Sequence, residues 1–554
     1  MTPLPPIDRT PSAYNYQLLI KHLLTSATNR ASKNEIVYRD KARFTYPQFV
    51  DRVHRAANLL TGLGVKPGQT VAVMEWDSQR YLELYFAIPM LGCVMQTVNI
   101  RLSPDQMLYT LNHAQAEIVL VNTDFVPVLE TLVDKLETVK QYVLISEDGS
   151  RPASTIPFAG EYESLLTQAA TCFDFPEFDE NARMSTFYTS GTTGLPKGVY
   201  YSHRQIMLHT LSLAATFGTA AVQGRIHQDD VYMAITPMFH VHAWGMPYVA
   251  TMLGMKQVYA GRYTPDMLLK LIATEGVTYS HCVPTILHMI LSHPMAKEVD
   301  LSKWKVLIGG SALPKGLAKA ALDRGIDVFT GYGMSETGPL QIINHLPTDQ
   351  LGGDNDHQAS LRVRTGRPAL LCDVRTVDEQ VRPLPNDGKS TGEIVFRSIW
   401  TTQGYYKNPA ASEELWNGGW MHSGDIGSFG TDGVLVISDR VKDVIKTGGE
   451  WVSSLDLENL ISAHPSVSEV AVIGVKDPKW GERPVALVVP KAGEAGDEAE
   501  IKRYMMTFAD KGLISKYGVP ERVLFVEALD KTSVGKLDKK VLRVKYADAC
   551  GVTG

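Results

Sequence analysis

Two hydrophobic rhythms share this chain. Short apolar runs such as Thr70–Met74, Ile118–Val121 and Tyr142–Ile145 read as buried strands. Between them, apolar residues recur at intervals of three and four, as in Phe49, Val53, Ala56, Leu59 and Leu60, where Thr45 is placed to cap a helix. Residues 14 to 65 read as helix, strand and helix, with Asn15 to Ala27 as the first helix, and Tyr81 to Leu91 as a further one. A looser, proline-bearing connection covers 146 to 182. Beyond it, His203 to Phe217 reads as a helix, and Val231–Ile235, Thr278–Val283 and Trp304–Ile308 as strands. Strands alternating with helices predict βαβ units and a mainly parallel sheet.

Residues 345 to 360 are polar and rich in Gly and Asp, which predicts a surface loop, and Val374 to Val395 reads as β structure with a turn at Pro385–Gly388. The end of the chain changes pattern. Ser454–Ala463 and Glu498–Lys511 read as helices, and Val470–Val475, Pro484–Val489 and Arg522–Val526 as strands. The expected fold class is therefore α/β: a large N-terminal domain of several subdomains with βα-layered sheets, followed by a small α+β C-terminal domain.

Composition narrows this picture. With 554 residues, 44% of them hydrophobic, the chain can bury sizeable cores and spans roughly three or four domain-sized units. The formal net charge of -6 gives no basic field for nucleic acid. The five cysteines are scattered and form no Cys-x-x-Cys, against both a disulfide scaffold and a zinc site. No leader pattern opens the chain and no run of about eighteen apolar residues crosses it. A cytoplasmic protein with no membrane span is expected, with peripheral membrane contact left open.

The chemistry concentrates in a few strings. Tyr188-Thr189-Ser190-Gly191-Thr192-Thr193-Gly194-Leu195-Pro196-Lys197 joins small hydroxyls, glycines and a lysine. Glycine lets backbone N–H groups approach an anion, hydroxyls add donors, and Lys197 adds charge, which suits a polyphosphate. It is not the Walker P-loop, because Lys197 follows Pro196 rather than glycine. Gly331-Tyr332-Gly333-Met334-Ser335-Glu336-Thr337 sets a carboxylate beside a glycine turn, a placement suited to Mg2+ between protein and phosphates. It is no Rossmann fingerprint, since Glu336 stands where the third glycine belongs. His240 and His242 would share one side of an extended segment, but no third metal ligand is spaced near them. No Gly-x-Ser-x-Gly nucleophile elbow occurs.

These strings, in this order, resemble the adenylate-forming superfamily, and most closely the bacterial medium- and long-chain fatty acyl-CoA synthetases. The resemblance covers nearly the whole chain. It implies that Thr189 to Gly194 and Lys197 hold the ATP phosphates. Gly310, Ser311 and Ala312 would contact adenine, together with the Gly331, Gly333 and Met334 turn and a stacking Tyr332. Thr337 would reach the α-phosphate, and Glu336 with Thr189 would hold Mg2+. Asp425 and Arg440 resemble the ribose-binding pair. His240 would lie beside the reacting carboxylate, and Val241, Trp244, Gly245, Val283 and Gly333 would line the acyl pocket, with Trp244 similar to a tunnel gate.

The string from Arg440 to Trp451 resembles the family's hinge. It implies an N-terminal domain over 1–439, a hinge over 440–446 and a mobile lid domain over 447–554. Lys442 and Lys446 fall on the hinge, and Gly448, Gly449 and Trp451 on the CoA side. Lys536, in Thr532-Ser533-Val534-Gly535-Lys536, resembles the catalytic lysine of the lid, although Asp530 replaces the family's usual proline. The implied substrates are ATP, CoA and an apolar carboxylic acid, and a homodimer is expected. Delivery to a carrier protein or an amine, or a nucleotide-binding regulator without turnover, are the alternatives.

Overall fold

The computed structural model describes residues 8, 10–30, 33–189, 195–440, 442–447, 450–494, 496–531 and 537–549. Two large sheets dominate. In the first, the strands Phe158–Glu161, Gln141–Ile145, Ala116–Asn122, Thr70–Met74, Val94–Thr97 and Arg183–Thr189 lie parallel, and Lys197–Ser202 closes the edge antiparallel. In the second, Asp327–Gly333, Lys305–Ile308, Tyr279–Cys282, Val231–Ala234, Lys256–Tyr259 and Glu35–Tyr38 run parallel. Antiparallel strands flank it at both ends. The predicted parallel βα alternation is therefore present twice.

One continuous apolar core joins the two sheets through the helices Tyr46–Gly62, Gln79–Met90, His203–Gly218 and Met246–Leu253. Thr45 caps the first with a full capping box, its side chain bonded to the Gln48 backbone and the Gln48 side chain returned to Thr45. Every residue of Gln79–Met90 is buried, so this helix has no solvent face and lies inside the molecule. A four-stranded antiparallel sheet, ending in Leu435–Arg440, follows. Past it, Val467–Asp477 and Gly481–Pro490 form the centre of a separate small sheet with its own core around Ile461, Val472 and Met505.

Three local expectations change. The first helix spans Lys21–Asn29 instead of starting at Asn15. The residues before it are held by tertiary bonds: the Leu18 N–H donates to Glu180 at 2.8 Å, and the Tyr14 hydroxyl donates to Glu177. The loose connection contains a strand, Phe158–Glu161, and a helix, Tyr162–Gln168. The strand is recruited by the sheet edge at Gln141–Ile145 despite a sequence poor in strand formers. The polar stretch after 345 contains the helix Asn355–Arg362, started by the Asp354 side chain accepting from the His357 N–H.

Candidate active site

The carboxyl ends of parallel strands from both large sheets meet at one cleft, the usual position for a ligand in α/β sheets. Asn99 follows Val94–Thr97, Tyr188 and Thr189 end Arg183–Thr189, Gly309 and Gly310 follow Lys305–Ile308, and Gly331 and Gly333 end Asp327–Gly333. The cleft encloses about 440 Å³. The sheets are tied together beside it, where the Gly261 N–H donates to the Asp77 carbonyl at 2.8 Å.

One wall is the glycine turn. A Cβ on Gly333 would sit 1.2 Å from the Pro339 carbonyl oxygen, so only glycine fits there. Met334, Ser335 and Glu336 continue this wall. Glu336 is 6% exposed, and its carboxylate accepts from the Tyr405 hydroxyl at 2.7 Å. Lys197 lies over the same Tyr405 ring, 4.6 Å from its centre. Among the described residues, no group of three or more His, Cys, Asp or Glu could hold a metal ion by itself. Glu336 and Thr189 supply oxygen donors alone, which fits Mg2+, a hard cation that takes its remaining ligands from water and phosphate.

Thr337 departs from the expectation. It is 0% exposed, its hydroxyl donates to the Pro339 carbonyl at 2.6 Å and accepts from the Met334 N–H at 2.9 Å. It braces the turn from behind, and Ser335 takes its place on the cleft.

The second wall carries Arg440. Its Nε lies 3.2 Å from Asp425, whose other oxygen accepts from the Tyr332 hydroxyl at 2.6 Å. Asp425 and Arg440 face each other across neighbouring strands. Each carboxylate oxygen retains a second lone pair. Arg440 lines the cleft, while Tyr332 and Asp425 stand behind it and the Tyr332 ring leans on Phe396. Gly310 lines the cleft too, whereas Ser311 and Ala312 are exposed outside its lining.

The third wall is His240, Val241 and Trp244. It is not extended, as the shared face of His240 and His242 required. Val241 to Gly245 form a left-handed turn, with φ of 50, 51, 47, 58 and 74°. The turn sends His242 into the core and leaves His240 on the cleft. Trp244 packs against His281, ring centres 5.0 Å apart. Gly245 does not line the cleft; a Cβ there would meet the His209 ring at 2.6 Å, on the far side of the turn. Val283 also lies outside the lining, as residue before the helix Pro284–Ser292.

The fourth wall was not legible by motif. Leu537, Asp538, Lys539, Lys540 and Arg543, from the C-terminal part, line the same cleft. Lys539 is anchored at 2.7 Å to Glu458 and 2.6 Å to Ser454, and Arg543 pairs with Asp443. Lys442 lines the cleft, and burial, then the Arg440 charge, hold its ammonium below the usual lysine range. Lys446 lies away from it on the strand Ile445–Thr447, its N–H donating to Glu482 at 3.0 Å. Ser190, Gly191, Thr192, Thr193, Gly194, Gly448, Gly449, Lys536 and the side chain of Trp451 lie outside the described residues.

Comparison with known proteins identifies the family. The family model described as "AMP-binding enzyme" matches residues 24–406, and "AMP-binding enzyme C-terminal domain" matches 456–536. A long-chain-fatty-acid–CoA ligase of Thermus thermophilus is 38% identical over 512 residues, covering 92% of this chain and 91% of that one. A 3-methylmercaptopropionyl-CoA ligase of Ruegeria lacuscaerulensis is 37% identical, covering 96% and 98%. The crystal structure of an anthranilate CoA ligase with anthranoyl-AMP superposes with a TM-score of 0.84 at 25% identity, covering 97% and 98%. The chain belongs to the AMP-binding enzyme family and, within the adenylate-forming superfamily, to the acyl-CoA ligases, for which ATP and CoA are substrates.

Proposed function

We propose that the protein activates a fatty or similarly apolar carboxylic acid as acyl-AMP, releasing pyrophosphate, and then passes the acyl group to CoA, releasing AMP. The observation that carries this reading is the meeting of three chemistries in one cleft: Glu336 and Thr189, Arg440, and the apolar pair Val241 and Trp244. A carboxylate cannot acylate a thiol directly, because oxide would have to leave. Its attack on the α-phosphorus of ATP expels pyrophosphate, and a thiolate then attacks the carbonyl carbon and expels AMP. Such chemistry needs two anions held together and their charge neutralised, more than it needs a protein nucleophile.

The same reading assigns the roles. Arg440 and Asp425 orient the ribose hydroxyls. Lys197 and Lys442 would neutralise the developing phosphate charge, and Lys536, outside the described residues, would be the catalytic cation of the first step. Mg2+, held by Glu336 and Thr189, would add charge neutralisation at the phosphates. His240 stands where the polar end of the acid meets the nucleotide, with the acyl chain toward Val241 and Trp244. Rotation about Lys442 between 1–439 and 447–554 would withdraw Lys536 after the first step and bring Gly448, Gly449 and Trp451 to the CoA arm. Mg2+ dependence, a homodimer and a cytoplasmic location complete the reading.

The relatives act on different acids by name, a long-chain fatty acid and 3-methylmercaptopropionate. The deciding experiment is an ATP-, CoA- and acid-dependent AMP-release screen over acids graded in length and shape. Turnover confined to apolar acids, with thioester formed only when CoA is present, supports the proposal. Acyl-AMP formation without CoA transfer would redirect it to a carrier protein or amine acceptor.

A further inference from the structure

The turn from Val241 to Gly245 is the most strained backbone around the cleft. Four successive non-glycine residues have φ between 47 and 58°. For L-residues this conformation is sterically unfavourable, and a β-branched residue such as Val241 tolerates it worst. Within the turn, the Ala243 N–H donates to His240 at 3.1 Å and the Gly245 N–H to His242 at 3.0 Å. Such a conformation persists where the surrounding structure over-determines it.

The outside contacts converge on one side chain. His242 is 1% exposed, and its ring meets Tyr85, Phe187 and Tyr248 edge-on, with centres 5.6, 5.3 and 5.9 Å away. Burial pushes its imidazole down to about 3, so it sits among these rings as a neutral group. The approach to the turn is pinned as well. The Met238 N–H donates to Asp77 at 2.8 Å, the Tyr85 hydroxyl donates to the Met238 carbonyl, and Thr97 donates to the Phe239 carbonyl at 2.9 Å. Tyr85 thus both fixes the entry and forms one side of the box. Phe187 belongs to the strand that runs into Thr189.

We propose that His242, which does not line the cleft, is the positioning residue for acyl selectivity: seated in the Tyr85–Phe187–Tyr248 box, it locks the left-handed turn in the register that presents Val241 and Trp244 to the acyl chain. One residue of slippage rotates a helical turn by about 100°, enough to take both side chains off the cleft. Trp244 has little room to compensate, because a Cβ on Gly309 would already lie 3.0 Å from its ring. This inference rests on the cleft being the acyl site.

The test compares wild type, His242→Ala, His242→Phe and Gly245→Ala on straight-chain acids of graded length, with the KM for ATP and the circular dichroism melt as controls. His242→Ala should change the ratio of kcat/KM between short and long acids tenfold or more, chiefly through the KM for the acid. The KM for ATP should stay within twofold, and His242→Phe, which refills the box, should move the ratio back toward wild type. If wild type turns over no acid, the proposed function itself fails and this inference with it. If wild type is active and a folded His242→Ala lowers all acids equally, with the length ratio changed less than twofold, His242 is core packing and the inference is overturned. Should His242→Ala not fold, Gly245→Ala decides by the same ratio, since its new Cβ presses on His209 and displaces the turn from its other end.

Discussion

Two walls of the cleft are shaped by opposite routes. The Gly331–Thr337 wall relies on a close backbone approach, and its critical position, Gly333, admits no other residue because the Pro339 carbonyl is 1.2 Å from where a Cβ would be. The His240–Gly245 wall holds Val, His, Ala and Trp in a left-handed turn, and depends on a box of aromatic rings and three pinned backbone groups. In the first, glycine permits the close approach at no steric cost. The second exists only because the surroundings outweigh the local preference, and such a segment can be retuned by residues that never touch a substrate.

This contrast sets the order of expected effects. Gly333→Ala must displace either the turn or Pro339, and a shift of about 1 Å beside the reacting groups costs on the order of 100-fold in rate. Acid-dependent pyrophosphate exchange measures it, and a loss under threefold would show that the close approach is dispensable. Tyr405→Phe removes one hydrogen bond to the Glu336 carboxylate. A bond to a charged acceptor contributes about 1.5–3 kcal/mol, so kcat/KM for ATP should fall by roughly tenfold or more with the length preference unchanged. A shifted acyl preference in this variant would mean that the walls are not independent.

On the other wall, Thr97→Val leaves the Phe239 carbonyl without its 2.9 Å donor. A loss of about 1 kcal/mol in stability is expected from urea midpoints. An altered length preference should accompany it, while the KM for ATP stays constant. A change in the KM for ATP alone would contradict the division of labour.

A separate effect is on pH dependence. His203, His209, His242 and His281 are each pushed down to about 3 by burial, against 6.5 for a free imidazole. Between pH 3 and 6.5 the unfolded chain binds these protons and the native chain does not. Their contribution to stability is fully present above 6.5 and is lost as pH falls through that window. Replacing His242 with Phe should therefore flatten the acid limb by about 1.4 kcal/mol per pH unit, or one proton. Unfolding midpoints from pH 4.5 to 7 read this slope, and an unchanged limb would place a charged imidazole in the native core.

Much of the architecture was legible before any coordinate. Thr70–Met74 is a strand over the predicted residues, and Thr45 caps its helix. Where reading failed, a distant partner had decided. Residues 14 to 19 carry helical spacing, yet Glu177 and Glu180 hold them outside the helix. Phe158–Glu161 has poor strand composition, yet an open sheet edge recruits it. Thr337 is a local exception: the resemblance implied a phosphate contact, but its hydroxyl donates to the Pro339 carbonyl two residues on.

The sequence by itself determined most of the element types, the parallel βα order and a set of candidate polar residues, because these depend on local periodicity and side-chain chemistry. Only the tertiary structure decided which of them share the cleft, that Lys539 and Arg543 join it from the C-terminal part, and that His242 turns inward while Trp244 turns out. The physical reason is the same in each case. Contacts between residues far apart in sequence, buried and therefore strong, override a local backbone preference of one or two kcal/mol per residue, and no window of sequence contains both partners.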